Sequence, residues 1–96
     1  MHIWLDDIRT PPEGWTWAQT YDEAVALLER GDAEAISLDH DLGDENPNGR
    51  ERTGYDVLLH LVQLKMDGRP VPDDVRVHSA NPVCVARMQG VIDRYL

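Results

Sequence analysis

Short apolar runs alternate along the chain with longer segments of helical spacing, and Gly, Pro, Asn and Asp punctuate the joints. His2–Asp7 is apolar and then abruptly acidic, which predicts a short buried strand ending at a polar edge. Ile8–Gly14 carries Pro11 and Pro12 and reads as a turn, and Trp15–Gln19 follows as a second strand. Thr20 to Glu23 has the capping-box pattern, Tyr21, Ala24, Val25 and Leu28 recur at helical spacing, and Gly31 stops that helix. Glu34–Asp39 is the third strand. Asp44–Arg52 is the longest loop, polar throughout, with Arg50 and Arg52 read as solvated charges. Thr53 and Asp56 cap a helix whose apolar face is Tyr55, Leu58, Leu59, Val62 and Met66. After a break at Gly68–Asp74, Val75–Ser79 alternates apolar and polar as an edge strand does. Asn81 and Pro82 open the last helix, with Val85, Met88, Ile92 and Tyr95 as its stripe.

Strands alternating with helices predict a mostly parallel sheet covered by helices on both faces, a three-layer α/β/α sandwich. The seven residues between the first two strands are few for a helical crossover, so Trp15–Gln19 fits either an extended parallel connection or a hairpin. The 96 residues make one domain, 1–96, and 42% hydrophobic with 28% charged residues is an ordinary globular composition. No apolar run approaches the roughly eighteen residues of a membrane span, and Met1–Thr10 lacks the regions of a secretory signal. The single cysteine, Cys84, excludes an internal disulfide and a multi-cysteine zinc site, and fits a reducing cytoplasm. Eighteen acidic against nine basic residues give a net charge of −9. Extended duplex nucleic acid is thereby excluded as a partner for want of a basic stripe, whereas a small phosphate ligand held by a few arginines or a metal fits.

In a parallel sheet, functional groups gather beyond the carboxyl ends of the strands. The first strand ends in Asp6–Asp7 with Arg9 just beyond, the third in Asp39–His40–Asp41, and the fourth in His78–Ser79 with Asn81 opening the next helix. Singly, these residues have ordinary readings. Asp and Asn favour turns, Asn81 serves as an N-cap, His60 is a packed or boundary residue within the apolar helix LLHLVQL, His2 frays with the terminus, Cys84 fills apolar space, and Trp15 and Trp17 are core. Together they imply more. Two carboxylates about 4 Å apart repel by about 4 kcal/mol at an effective dielectric of 20, so a rim carrying four needs protons or a cation to offset the repulsion. Carboxylate oxygens suit Mg²⁺ or Mn²⁺, and neighbouring imidazoles admit Zn, Fe or Ni. No GxxxxGK[ST], GxGxxG, GxSxG or HExxH pattern points to another chemistry.

These residues resemble those of a response-regulator receiver domain. Asp6–Asp7 is similar to the receiver's acidic metal-binding pair, Asp39 to its phospho-accepting aspartate, Thr53–Leu58 to the opening of its next helix, and Ser79–Ala80 to the hydroxyl residue ending its fourth strand. LDD-x-R-x-P-P, SLDHDLG and HSANP together are more specifically similar to the cyclic-phosphate processing receiver domains, a family proposed to act on nucleotide-derived cyclic phosphates in RNA repair and related systems. The resemblance implies a shortened receiver-like fold with four strands in the order 2-1-3-4. A receiver also has a helix after its first strand, and a fifth strand with a phosphate-binding lysine. Here a TPPEG turn stands for that helix, no fifth strand is expected, and the only lysine, Lys65, sits in a helix.

The implied function is metal-dependent hydrolysis of a cyclic phosphate on a nucleotide or RNA end. Asp6, Asp7 and Asp39 would ligate the cation, with Asp41 as a ligand or outer partner. His40 and His78 are general acid and base, in either order, and Arg9, Ser79 and Asn81 would bond the non-bridging oxygens. Alternatively Asp39 acts as a nucleophile and forms an aspartyl-phosphate. Two other classes remain. One is a signalling receiver phosphorylated on Asp39, against which the missing lysine argues. The other is a non-catalytic module binding a nucleotide, a metal or a protein partner, whose exposed fourth strand would support a homodimer by edge pairing.

Overall fold

The computed structural model describes residues 1–39, 44–45, 51–79 and 82–96, with the side chains of 44, 45, 51 and 52 left aside. Its elements are β1 (His2–Leu5), β2 (Thr16–Ala18), α1 (Tyr21–Glu29), β3 (Ala35–Leu38), β4 (Asp44–Glu45), β5 (Glu51–Arg52), α2 (Gly54–Met66), β6 (Asp74–Val77) and α3 (Pro82–Tyr95). One sheet has the order β2-β1-β3-β6, all parallel, which is 2-1-3-4 when only its own strands are counted. The parallel pairing of β2 with β1 excludes the hairpin. β4 and β5 form a separate antiparallel pair inside the segment expected to be loop throughout. Two polar residues per strand carry no alternation that would announce it.

Helix ends follow local chemistry. Thr20 accepts from the Glu23 amide at 3.1 Å, and the Glu23 carboxylate returns to the amide of Gln19 rather than of Thr20. Thr53 and Asp56 complete a capping box at α2. Gly31 ends the α1 segment at φ 78°, a left-handed conformation that side chains resist.

The sheet has two unlike faces. Ile3, Leu5, Ala18, Ile36 and Leu38 form one, buried beneath Ala24 and Leu28 of α1, Leu58 and Leu61 of α2, and Met88 of α3. α1 packs on α2 and α2 on α3, so the three helices make a single layer. The expected third layer is therefore corrected: the described elements form two. Right-handed crossovers that run the same way across a sheet place their helices on the same face. The connections β2–α1–β3 and β3–α2–β6 both run toward the β6 edge. Only β1 to β2 runs the other way, and residues 6–15 contain no helix to cover the second face.

That second face carries His2, Trp4, Trp15 and Trp17, which alternate with the buried set and stand outside the core cluster. Their rings cover the sheet instead. Trp4 and Trp15 meet edge to face at 6.1 Å, and His2 and Trp15 lie 5.1 Å apart. Trp15 and Trp17 are thus half-buried on the helix-free face, not in the helix-covered core. His2 does not fray: it pairs with Ala35 in the ladder, and its Nε2 lies 3.4 Å from the Glu34 carboxylate. His60 is half-buried in the middle of α2, bonded at 3.1 Å to Glu29, which also receives Arg69. No helix among the described residues is long and apolar enough to cross a membrane.

Candidate functional site

The register brings Leu5, Leu38 and Val77 level across β1, β3 and β6, and the next residue of each strand is Asp6, Asp39 and His78. The ladder continues through their amides. The amide of Asp6 donates to the Ala18 carbonyl at 3.0 Å, that of Asp39 to Leu5 at 3.0 Å and that of His78 to Leu38 at 2.9 Å. Three residues far apart in sequence therefore share one rung at the carboxyl edge. One donor atom of each, two carboxylate oxygens and an imidazole nitrogen, lies within 4.8 Å of the other two.

Asp6 is the fixed member, 1% exposed. Its Oδ1 accepts from the amides of Ile8 at 2.9 Å and Arg9 at 2.8 Å, so the turn after β1 wraps its own carboxylate. Its Oδ2 faces His78 Nε2 at 3.1 Å. Burial by itself would raise this carboxyl, but the Arg9 and Ile8 amides, joined by His78, outweigh it and hold Asp6 below the usual carboxylate range. Two indoles brace the turn: Trp17 Nε1 donates to the Asp6 carbonyl at 2.7 Å, and Trp4 Nε1 to the Arg9 carbonyl at 3.1 Å.

His78 leans back over the sheet. Its ring stacks on Trp4, centroids 3.9 Å apart and planes within 7°, and its Nδ1 meets the hydroxyl of Ser37 at 2.6 Å. Burial pushes its pKa below the ordinary histidine value. The hydrogen bond and charge of Asp6 and the charge of Asp39 pull the other way, Arg9 adds to the lowering, and burial prevails. The pair is thus an ionised carboxylate facing a neutral imidazole. A carboxylate only accepts, so Nε2 carries the proton, and Nδ1 accepts from the Ser37 hydroxyl.

Of the residues singled out from sequence, Asp6, Asp39 and His78 converge. Asp7 is half-buried beside them but outside the converging group, Arg9 is exposed with its amide on Asp6, and Ser79 follows His78. His40, Asp41, Asn81 and Arg50 lie outside the described residues. Ser37 and Trp4 were missed by the sequence reading. The signal for them was register: both sit two rungs below the acidic pair on the same strand parity, which becomes readable only once the strand pairing is known. The donor set suits a divalent cation, since two carboxylates and one imidazole are hard-to-borderline ligands and Asp6 is held ionised in place. Asp6, Asp39 and His78 would hold it.

A parallel sheet of order 2-1-3-4 with an aspartate-lined carboxyl edge defines a receiver-like α/β domain. The family model described as the cyclic-phosphate processing receiver domain matches residues 1–94, and the chain belongs to that family. No curated protein and no solved structure matches the chain.

Proposed function

We propose that the chain is a metal-dependent phosphoesterase that opens a cyclic phosphate borne by a nucleotide or an RNA end. The observation that carries the reading is the convergence of Asp6, Asp39 and His78 on one rung in a chain whose family is named for cyclic-phosphate processing. A divalent cation, when bound, supplies Lewis acidity toward a phosphoryl oxygen. Asp6 contributes Oδ2, pre-aimed by the two amides on Oδ1, and Asp39 contributes a second carboxylate. In this reading His78, with Nε2 already in the group, serves as a ligand, and His40 becomes the candidate for proton transfer. Asp7 and Asp41 complete the acidic rim as outer partners. Arg9, Ser79 and Asn81 bond the non-bridging oxygens.

Ring opening consumes one water. Its oxygen bonds to phosphorus while one ring P–O bond breaks, its proton leaves to the base, and the departing oxygen is protonated as the alcohol. The test is a panel of 2′,3′-cyclic nucleotides and cyclic-phosphate RNA ends, each incubated with Mg²⁺, Mn²⁺ and Zn²⁺. A phosphomonoester product is expected with at least one pairing, and no turnover across the whole panel would overturn the reading.

The signalling alternative is disfavoured by the one lysine. Lys65 Nζ donates to the carbonyl of Leu96 at 3.0 Å, beside Asp73 and Asp74 at the amino end of β6. That is the far edge of the sheet from Asp39.

A further inference from the structure

We propose that Ser37 is the positioning residue of His78, and that its hydroxyl, able both to donate and to accept, lets the imidazole exchange its proton between two nitrogens. The ligand half of this inference rests on the metal reading above; the metal-free half does not.

Asp6, His78 and Ser37 form a chain of carboxylate, imidazole and hydroxyl, with contacts of 3.1 and 2.6 Å. The same three groups occur in serine hydrolases, where the hydroxyl attacks and the carboxylate orients. Here the geometry reverses those roles. Ser37 is 3% exposed in the middle of β3, roofed by the very ring it bonds, so no substrate reaches its oxygen. The carboxylate instead stands in the converging group with Asp39. The hydroxyl is therefore the orienting end of the chain, and Nε2 the working nitrogen.

Orientation comes from two directions. Trp4 fixes the plane of the ring by stacking, and Ser37 fixes its rotation about that plane by holding Nδ1. A ring flipped by half a turn would lose both the Ser37 and the Asp6 bond. The kind of group at position 37 then matters. Imidazole ligands to metals usually give their second nitrogen to a carboxylate or a backbone carbonyl, which accept only and lock one tautomer. A serine hydroxyl does not lock it. Without a cation, Nε2–H donates to Asp6, and the Ser37 O–H donates to Nδ1. With Nε2 turned to a cation as a lone-pair donor, the proton must sit on Nδ1, and the Ser37 oxygen now accepts it. One hydroxyl rotation satisfies both states, and neither leaves a buried polar atom unpaired.

The test is a long-range ¹H–¹⁵N correlation spectrum of the histidine rings at one fixed pH. It is recorded on the wild type, Ser37→Ala and Ser37→Thr, with His78 assigned from His78→Gln. Metal-free wild type should show the Nε2–H tautomer at His78, and Zn²⁺, a diamagnetic probe, should convert it to Nδ1–H. Ser37→Thr keeps the hydroxyl and should behave as the wild type. Ser37→Ala, which removes a single oxygen, should keep the Nε2–H tautomer that Asp6 sets, but its Nδ1 resonance should move to that of an acceptor without a donor, and it should bind Zn²⁺ about 10- to 100-fold more weakly. An Nδ1–H tautomer in the metal-free wild type would overturn the inference. So would an alanine variant matching the wild type in both the Nδ1 resonance and zinc affinity. A wild type whose His78 signals ignore Zn²⁺ sinks the ligand half together with the metal reading, and the metal-free spectra of the alanine variant still decide the rest.

Discussion

Removing one charge at Asp39 should both stabilise the protein and abolish its response to cations. Asp39 shares with Asp6 and His78 a space in which their donor atoms lie within 4.8 Å of one another. Two carboxylates at that separation repel by about 3.5 kcal/mol at an effective dielectric of 20, and solvent reaching the half-buried Asp39 reduces this to roughly 1–2 kcal/mol. Against its burial, the Arg9 and Ile8 amides and His78 hold Asp6 below the usual carboxylate range, so protonation of Asp6 does not relieve the repulsion near neutral pH. Asp39→Asn in chelated buffer should therefore raise the melting temperature by about 5–10 °C, at about 4–8 °C per kcal/mol for a chain of this size. The wild type, given a divalent cation at about a hundred times its dissociation constant, gains about 2.7 kcal/mol, or roughly 10–20 °C. Asp39→Asn should gain a small fraction of that, so the two melting curves change places when the cation is added. Asp73→Asn is the control: it removes the same charge from an exposed side chain at the amino end of β6, away from the rung. It should keep the full cation response. Differential scanning fluorimetry with Mg²⁺ and Mn²⁺ at constant ionic strength decides the matter. Equal shifts in the two variants would mean that the cation merely screens a net charge of −9 and that Asp39 holds nothing.

In the cyclic-phosphate assay, His40→Ala and His78→Ala should each slow turnover by about 10²- to 10⁴-fold, and only His78→Ala should also raise the cation concentration needed for half-maximal rate. Unchanged rates in both would remove the histidines from the chemistry. Acetyl phosphate with Mg²⁺ should leave no long-lived phosphoryl group on Asp39, because Lys65 is engaged with Leu96; stable stoichiometric addition in intact-mass spectra would restore the signalling reading. The Arg69 hydrogen bond, countered in part by desolvation and aided by Arg69 and His60 charge, holds Glu29 below its ordinary value of 4.5. Its contribution is fully present above pH 4.5 and is lost as the pH falls through the lower folded value, so Arg69→Ala should flatten the acid side of a denaturant-derived stability profile. Leu61→Ala, at a fully buried site beneath the helical layer, should cost about 2–5 kcal/mol, whereas Met66→Ala, at a site 74% exposed, should stay within about 0.5 kcal/mol.

Most of the sheet was legible because its strands announce themselves. HIWL and AISL are short, apolar and bounded by turn residues, the strand ending in Val77 alternates apolar and polar, and the helices carry their caps in Thr20, Gly31 and Thr53. The strands end one or two residues before the expected bounds at Asp7, Asp39 and Ser79, because Asp6, Asp39 and His78 continue the ladder by their amides alone. The layer count was not legible. A strand buried on one face by helices and on the other by indoles reads, in one dimension, like a strand buried by helices on both. At the site, Asp6, Asp39 and His78 were legible as strand ends, since the residue after an apolar run needs no partner to be noticed. Ser37 was not. A hydroxyl in the middle of a buried run looks like an isolated polar substitution until register sets it beside Trp4 and beneath His78.

The missing helical layer and the histidine in the carboxylate group have one structural cause. In a sheet covered on both faces, the space above Ser37 would belong to a helix, and a ring at the end of β6 would have to point outward from the rim. Here residues 6–15 cross to β2 without a helix, leaving that space to side chains. His78 folds back into it, takes Trp4 as its packing surface and Ser37 as its hydrogen-bond partner, and in doing so turns Nε2 toward Asp6. The same turn that replaces the helix supplies the Ile8 and Arg9 amides that hold Asp6 ionised, and its Arg9 carbonyl anchors the Trp4 indole. Shortening the chain at this point thus does two things at once. It opens one face of the sheet, and it lets an imidazole nitrogen join the two carboxylates at the carboxyl edge.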